Sequence, residues 1–140
     1  MKKILFGLVL LVSGSVFSQL NNVDFSMSFV TNPTFVAGLD EVSRQGSVFQ
    51  VKVSLNDLNE VGEITVMIYD LTSNTPIVVK RLERNELLAG TYTQNGLIVF
   101  NFPFLNPAEK YKVILEAQNS QQAYLPRIEK NFPINQNYQN

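Results

Sequence analysis

The sequence predicts an all-β protein, a single antiparallel sandwich of about seven strands. Three observations carry this. Apolar side chains recur at every second position, as in Phe49, Val51, Val53, Leu55 and again in Tyr111, Val113, Leu115, Ala117; this is the period of a strand with one buried face. The runs are short, and Asn, Gly, Pro and Ser clusters separate them every dozen or so residues. No stretch sustains a helical period.

Taken in order, the chain opens with Met1-Lys2-Lys3, an apolar run from Ile4 to Val12, and a small-residue end at Ser13 to Ser18. That order of charge, apolar run and small residues is a secretory leader, cut after Ser18. The apolar run falls short of the roughly 20 residues that a spanning helix needs, and no later stretch is apolar enough to span. Residues 19–134 form the expected domain and 135–140 a disordered polar tail.

Within the domain, Phe25, Met27 and Phe29 alternate with serines and mark a first strand, interrupted at Thr31-Asn32-Pro33, because proline gives no ladder donor. Phe35 and Val36 restart it as a short edge piece. Ser47 to Leu55 has the cleanest alternation in the chain. Glu63 to Asp70 follows with Ile64, Val66 and Ile68 inward, and Pro76 opens the next strand, Ile77 to Leu82. Asn85 to Ala89 reads as one helical turn closed by Gly90, or as a crossing loop. Asn95-Gly96 takes positive backbone angles cheaply and joins Thr91–Gln94 to Leu97–Phe102 as a hairpin. The apolar residues of Leu97 to Phe104 fall on both faces, so one side needs cover from the first strand, a loop or a second molecule. The Tyr111 strand comes next, and Arg127 to Phe132 is the last.

Composition narrows the chemistry. The chain has no Cys and no His, so thiolate and imidazole metal sites, disulfides and the common nucleophile–base pairs are excluded, as is a lipid-modified cysteine. No cofactor is implied. With Lys2 and Lys3 in the leader, nine basic residues face 12 acidic ones, a net charge near −3 that suits neither a nucleic-acid backbone nor an anionic lipid surface. Catalysis is left with a carboxylate pair, whose candidates Asp40, Glu41, Asp57, Glu60 and Glu63 sit in polar connections. Asn56-Asp57-Leu58-Asn59-Glu60 puts oxygens at short spacing but lacks the glycine-punctuated order of a calcium loop.

Leu105-Asn106-Pro107 followed by Tyr111, Val113 and Leu115 describes a corner entering a strand, with the Tyr111 hydroxyl turned back to the upstream backbone. At these residues the chain resembles the fibronectin type III and wider immunoglobulin-like superfamily, whose tyrosine corner this matches. The resemblance implies an immunoglobulin-like sandwich and a recognition or spacer module without chemistry of its own. The chain departs from the family in having no Trp in its second strand and no Cys pair, which leaves the subfamily open.

The same arrangement makes the Glu63–Asp70 and Tyr111 strands neighbours. Met67, Tyr69 and Ile114 then share an outer face, joined by Val78 from the adjoining strand, and an apolar cluster on a nominally wet face is a partner site. The expected function is therefore non-catalytic protein–protein contact, as an accessory subunit that binds another cell-envelope protein or a second copy of itself. The alternatives are a carbohydrate-binding module stacking sugars on Tyr69, Tyr92, Tyr124 and Phe35, and a small carboxylate-dependent hydrolase.

Overall fold

The computed structural model describes residues 20–39 and 46–133. The expected leader, the polar tail, and Asp40 and Glu41 lie outside the described residues. Eight strands form two four-stranded antiparallel sheets. The strands are β1 (Val23–Thr31), β2 (Ser47–Leu55), β3 (Val61–Asp70), β4 (Thr75–Glu83), β5 (Thr93–Gln94), β6 (Leu97–Phe102), β7 (Tyr111–Asn119) and β8 (Ile128–Phe132). The first sheet runs β1-β2-β6-β5 and the second β4-β3-β7-β8. The two-residue β5 falls within the expected hairpin arm Thr91–Gln94.

Period-two patterning decides what lies between the sheets. Phe49, Val51 and Val53 of β2, Phe100 and Phe102 of β6, Ile64, Val66 and Ile68 of β3, and Val113 and Leu115 of β7 are almost wholly buried and form one cluster. Aromatic rings bridge the layers. Phe49 lies 5.2 Å from Phe132 edge-on and 6.1 Å from Tyr111, while Phe29 is 5.6 Å from Phe132, separations at which tilted ring pairs attract.

The connections follow their turn residues. Asn95 (φ 52°) and Gly96 (φ 80°) form a two-residue hairpin between Gln94 and Leu97, a geometry that needs positive φ at both positions. The expected helical turn is α1 (Arg84–Leu88). The Glu86 carboxylate accepts the Glu83 N–H at 3.0 Å, Leu87 is buried, and Gly90 leaves the turn at φ 83°.

The strand restart expected at Phe35 and Val36 does not form. Asn32 turns the chain at φ 51°; its N–H bonds to the Gly46 carbonyl and its side chain accepts the Gly46 N–H. Residues 33–39 leave the ladder and cross the outer face of the first sheet. There Asn101 Nδ2 donates to the Ala37 carbonyl and Gln50 Nε2 donates to Asn101 Oδ1, both at 2.9 Å. On this nominally wet face Val48, Val99, Gln50 and Asn101 are all buried. The cover needed by β6 comes from the domain itself.

Candidate functional site

The outer face of the second sheet is built by parity. With Ile64, Val66 and Ile68 inward, Met67 and Tyr69 point outward. The ladder pairs Met67 with Ile114 on β7 and with Val79 on β4, so Val79, Met67 and Ile114 form one transverse row. Val78 is not part of it. It sits opposite Ile68 and packs against the core, because Leu82 faces inward and fixes the parity of β4 back through Lys80 to Val78. Val79 is 55% exposed; with half-buried Met67 it makes the apolar part of the face, while Ile77, 40% exposed, lies at the bulge where the register slips between Val78 and Pro76.

Ile114 shares the face yet is only 4% exposed. Long polar side chains flank it. The Lys112 ammonium stands 4.9 Å above the Tyr69 ring, a cation–π contact. Glu116 accepts from Arg127 Nε at 3.0 Å, and that carboxylate pushes the guanidinium pKa further up. The β3–β4 half of the face therefore carries the accessible apolar Val79 and Met67 beside the Glu63–Arg81 pair, and the β7–β8 half is charged over an apolar floor.

At the corner, Leu105 is buried in the core, Pro107 is exposed and Tyr111 is buried. The Tyr111 hydroxyl donates to the Asn106 carbonyl at 2.9 Å and accepts the Asn106 N–H at 2.8 Å. Burial pushes the phenol pKa up. Asn106, which no pattern singled out, is thus the residue the corner closes on.

The edges carry a second set of unanticipated residues. Lys80 on β4 and Lys130 on β8 both point toward the interior, opposite Val66 and Val113. Lys130 Nζ donates to the Phe25 carbonyl at 2.6 Å and pairs with Asp24 at 2.8 Å. Lys80 lies 5.4 Å over the Tyr92 ring, and burial pulls its pKa down. A cation inside an edge strand opposes edge-to-edge pairing, since a docked strand would bury it.

The other candidate residues are dispersed. Tyr69 is on the outer face of the second sheet, Tyr92 packs against the core under Lys80, Phe35 lies in the segment crossing the first sheet, and Tyr124 is exposed after β7. They do not form a shared stacking platform. Among the carboxylates, Asp57 accepts the Asn59 N–H at the start of the 3-10 turn Leu58–Glu60, Glu60 accepts from the Ser120 hydroxyl at 3.0 Å, and Glu63 lies 3.6 Å from Arg81. Asn56 Oδ1 accepts the N–H groups of Asn21 and Asn22. These oxygens cap and tie loops. Among the described residues, no group of three Asp or Glu side chains is placed to hold a metal ion, and no helix is long and apolar enough to cross a membrane.

No protein-family model matches the chain. No curated protein matches it either. Among solved structures it is similar to a pectate lyase from Erwinia chrysanthemi in complex with tetragalacturonic acid, with a TM-score of 0.43 and 12% identity. The match covers 80% of this chain and spans 28% of that one.

Proposed function

We propose that this protein is a non-catalytic, exported immunoglobulin-like module that binds another cell-envelope protein through the outer face of its second sheet. The fold part of the reading is supported by the strand order. One sheet of four and a second of β4-β3-β7-β8 follow the A-B-E-D and C′-C-F-G order of immunoglobulin-like sandwiches, with the corner tyrosine at the start of the seventh strand. Export is supported by the leader-like residues 1–18.

One observation carries the binding part. Val79 and Met67 pair across the ladder as an accessible apolar surface on a face whose remaining side chains include the Glu63–Arg81 and Glu116–Arg127 ion pairs, and the comparable surface of the first sheet is covered by the chain's own backbone. Exposed apolar groups clustered in this way gain from burial against a partner at roughly 25 cal/mol per Å². The inward lysines of both edge strands direct that partner to the face rather than the edge. Chemical crosslinking in the native envelope, followed by mass spectrometry, tests the reading. Crosslinks from Lys112 to one other envelope protein at fixed stoichiometry support it; their absence, with the protein present at the same level, defeats it.

A further inference from the structure

A half-open cavity of about 150 Å³ lies at the flank of the sandwich, lined by Asn21, Val23, Leu115, Ala117, Leu125, Pro126 and Ile128. Its origin is a mismatch between β7 and β8. Ile128 sits opposite Leu115, so an unbroken ladder would place Pro126 opposite Ala117. Instead the Leu125 N–H bonds to the Ala117 carbonyl at 2.9 Å, and Tyr124 bridges to Gln118. The β8 side therefore carries one extra residue, a bulge. Pro126 has no N–H to restore the ladder, and Arg127 turns outward to Glu116.

On the inner side, the sheet then offers Ala117, a single methyl group, beside the bulge. The volume that a larger side chain would fill stays open between Leu115 and Val23. We infer that this cavity is a binding site for one neutral aromatic ring, a single-ring small molecule whose polar substituent, if any, stays at the mouth beside Asn21. An enclosed apolar cavity of about this volume admits benzene, and this half-open one offers similar room against Val23, Leu115, Ala117, Leu125 and Ile128. No charged side chain lines it, so an ionised ligand would lose its hydration without a partner. The inference does not depend on the docking face, which lies on the opposite side of the second sheet.

Methyl-resolved NMR of the folded domain during titration with benzene, phenol and benzoate tests it. The expected result is saturable shifts confined to the methyls of Val23, Leu115, Leu125 and Ile128 for benzene and phenol, with at least tenfold weaker binding of benzoate. Ala117→Leu, which puts a side chain into the space, should abolish the shifts while the spectrum stays dispersed. Leu125→Phe fills the space from the opposite wall and serves if Ala117→Leu does not fold. Absence of saturable shifts in the wild type, binding of benzoate as tight as that of benzene, or shifts that persist in a folded, filled variant would overturn the assignment.

Discussion

The two outer faces of the sandwich start from similar sequences and end differently. Each carries apolar residues where alternation alone predicts solvent: Val48 and Val99 on the first sheet, Met67, Val79 and Ile114 on the second. On the first, residues 33–39 fold across the sheet and are tied down by the Asn101 amide, so the side chains beneath them are buried. On the second, no described segment does this, and Val79 remains more than half exposed. An outward apolar side chain is therefore ambiguous until its cover is known. Burial, not chemical type, separates a self-packed face from one available to another molecule.

The largest effect expected from this contrast is at Ile114. It lies on the open face but is buried under its neighbours, so Ile114→Lys should cost about 3 kcal/mol or more, because the ammonium is either buried unpaired or displaces the side chains around it. Urea denaturation reads this directly. A loss below about 0.5 kcal/mol would mean that Ile114 is as accessible as Val79 and that the face is uniform.

Asn101→Ala comes next. It removes the acceptor of the buried Gln50 amide and the donor to the Ala37 carbonyl in one step. A buried polar group left unpaired costs about 1–3 kcal/mol. The covering segment should also become protease-sensitive between residues 32 and 39, while the second sheet does not. Unchanged stability and an unchanged cleavage pattern would show that the first face needs no amide tie.

Much of this architecture was legible in the sequence because its determinants are local. Alternation in Ser47 to Leu55 marks β2 and Asn95-Gly96 marks the β5–β6 hairpin, each within a window of a few residues. What was not legible depends on partners distant in the chain. Phe35 and Val36 look like strand residues, and the Asn101–Ala37 bond, 64 residues apart in sequence, ties their segment over the first sheet instead. Ile77-Val78-Val79 is apolar on both faces, so nothing within it says which residue points inward; Leu82 decides. The bulge that opens the β7–β8 cavity was hidden for a similar reason. Pro126 signals a break, but the slip of one residue appears only when the ladder is counted from both ends.

At the corner the expected effect is smaller. Tyr111→Phe keeps the ring that packs 6.1 Å from Phe49 and deletes only the hydroxyl bonded to Asn106. Since Asn106 is exposed and water can replace the hydroxyl there, a loss of about 1–2 kcal/mol is expected. The pH dependence gives a separate check. Burial raises the phenol pKa in the folded state, so the neutral phenol stabilises the fold fully below the unfolded pKa near 10, and that contribution disappears as pH rises through the folded value. Wild type should therefore lose stability above about pH 10 relative to Tyr111→Phe; parallel curves would place the hydroxyl in solvent.

The smallest stability effect is expected where the functional effect is greatest. Val79 is 55% exposed on β4, opposite Met67, and a lysine there can carry its ammonium into water while its stem covers Met67. Val79→Lys should therefore shift stability by no more than about 0.5 kcal/mol. A partner seated on this face would have to bury that charge, so the crosslinked complex should fall at least tenfold. Arg81→Lys, the next outward position on the strand, keeps its charge and supplies the control, with binding unchanged. Retained complex formation in a stably folded Val79→Lys protein would remove the face from the function, and with it the reason for leaving these residues uncovered. If Val79→Lys instead unfolded the domain, Val79 would have to be packed in solution as Val99 is, and the two faces of the sandwich would be alike.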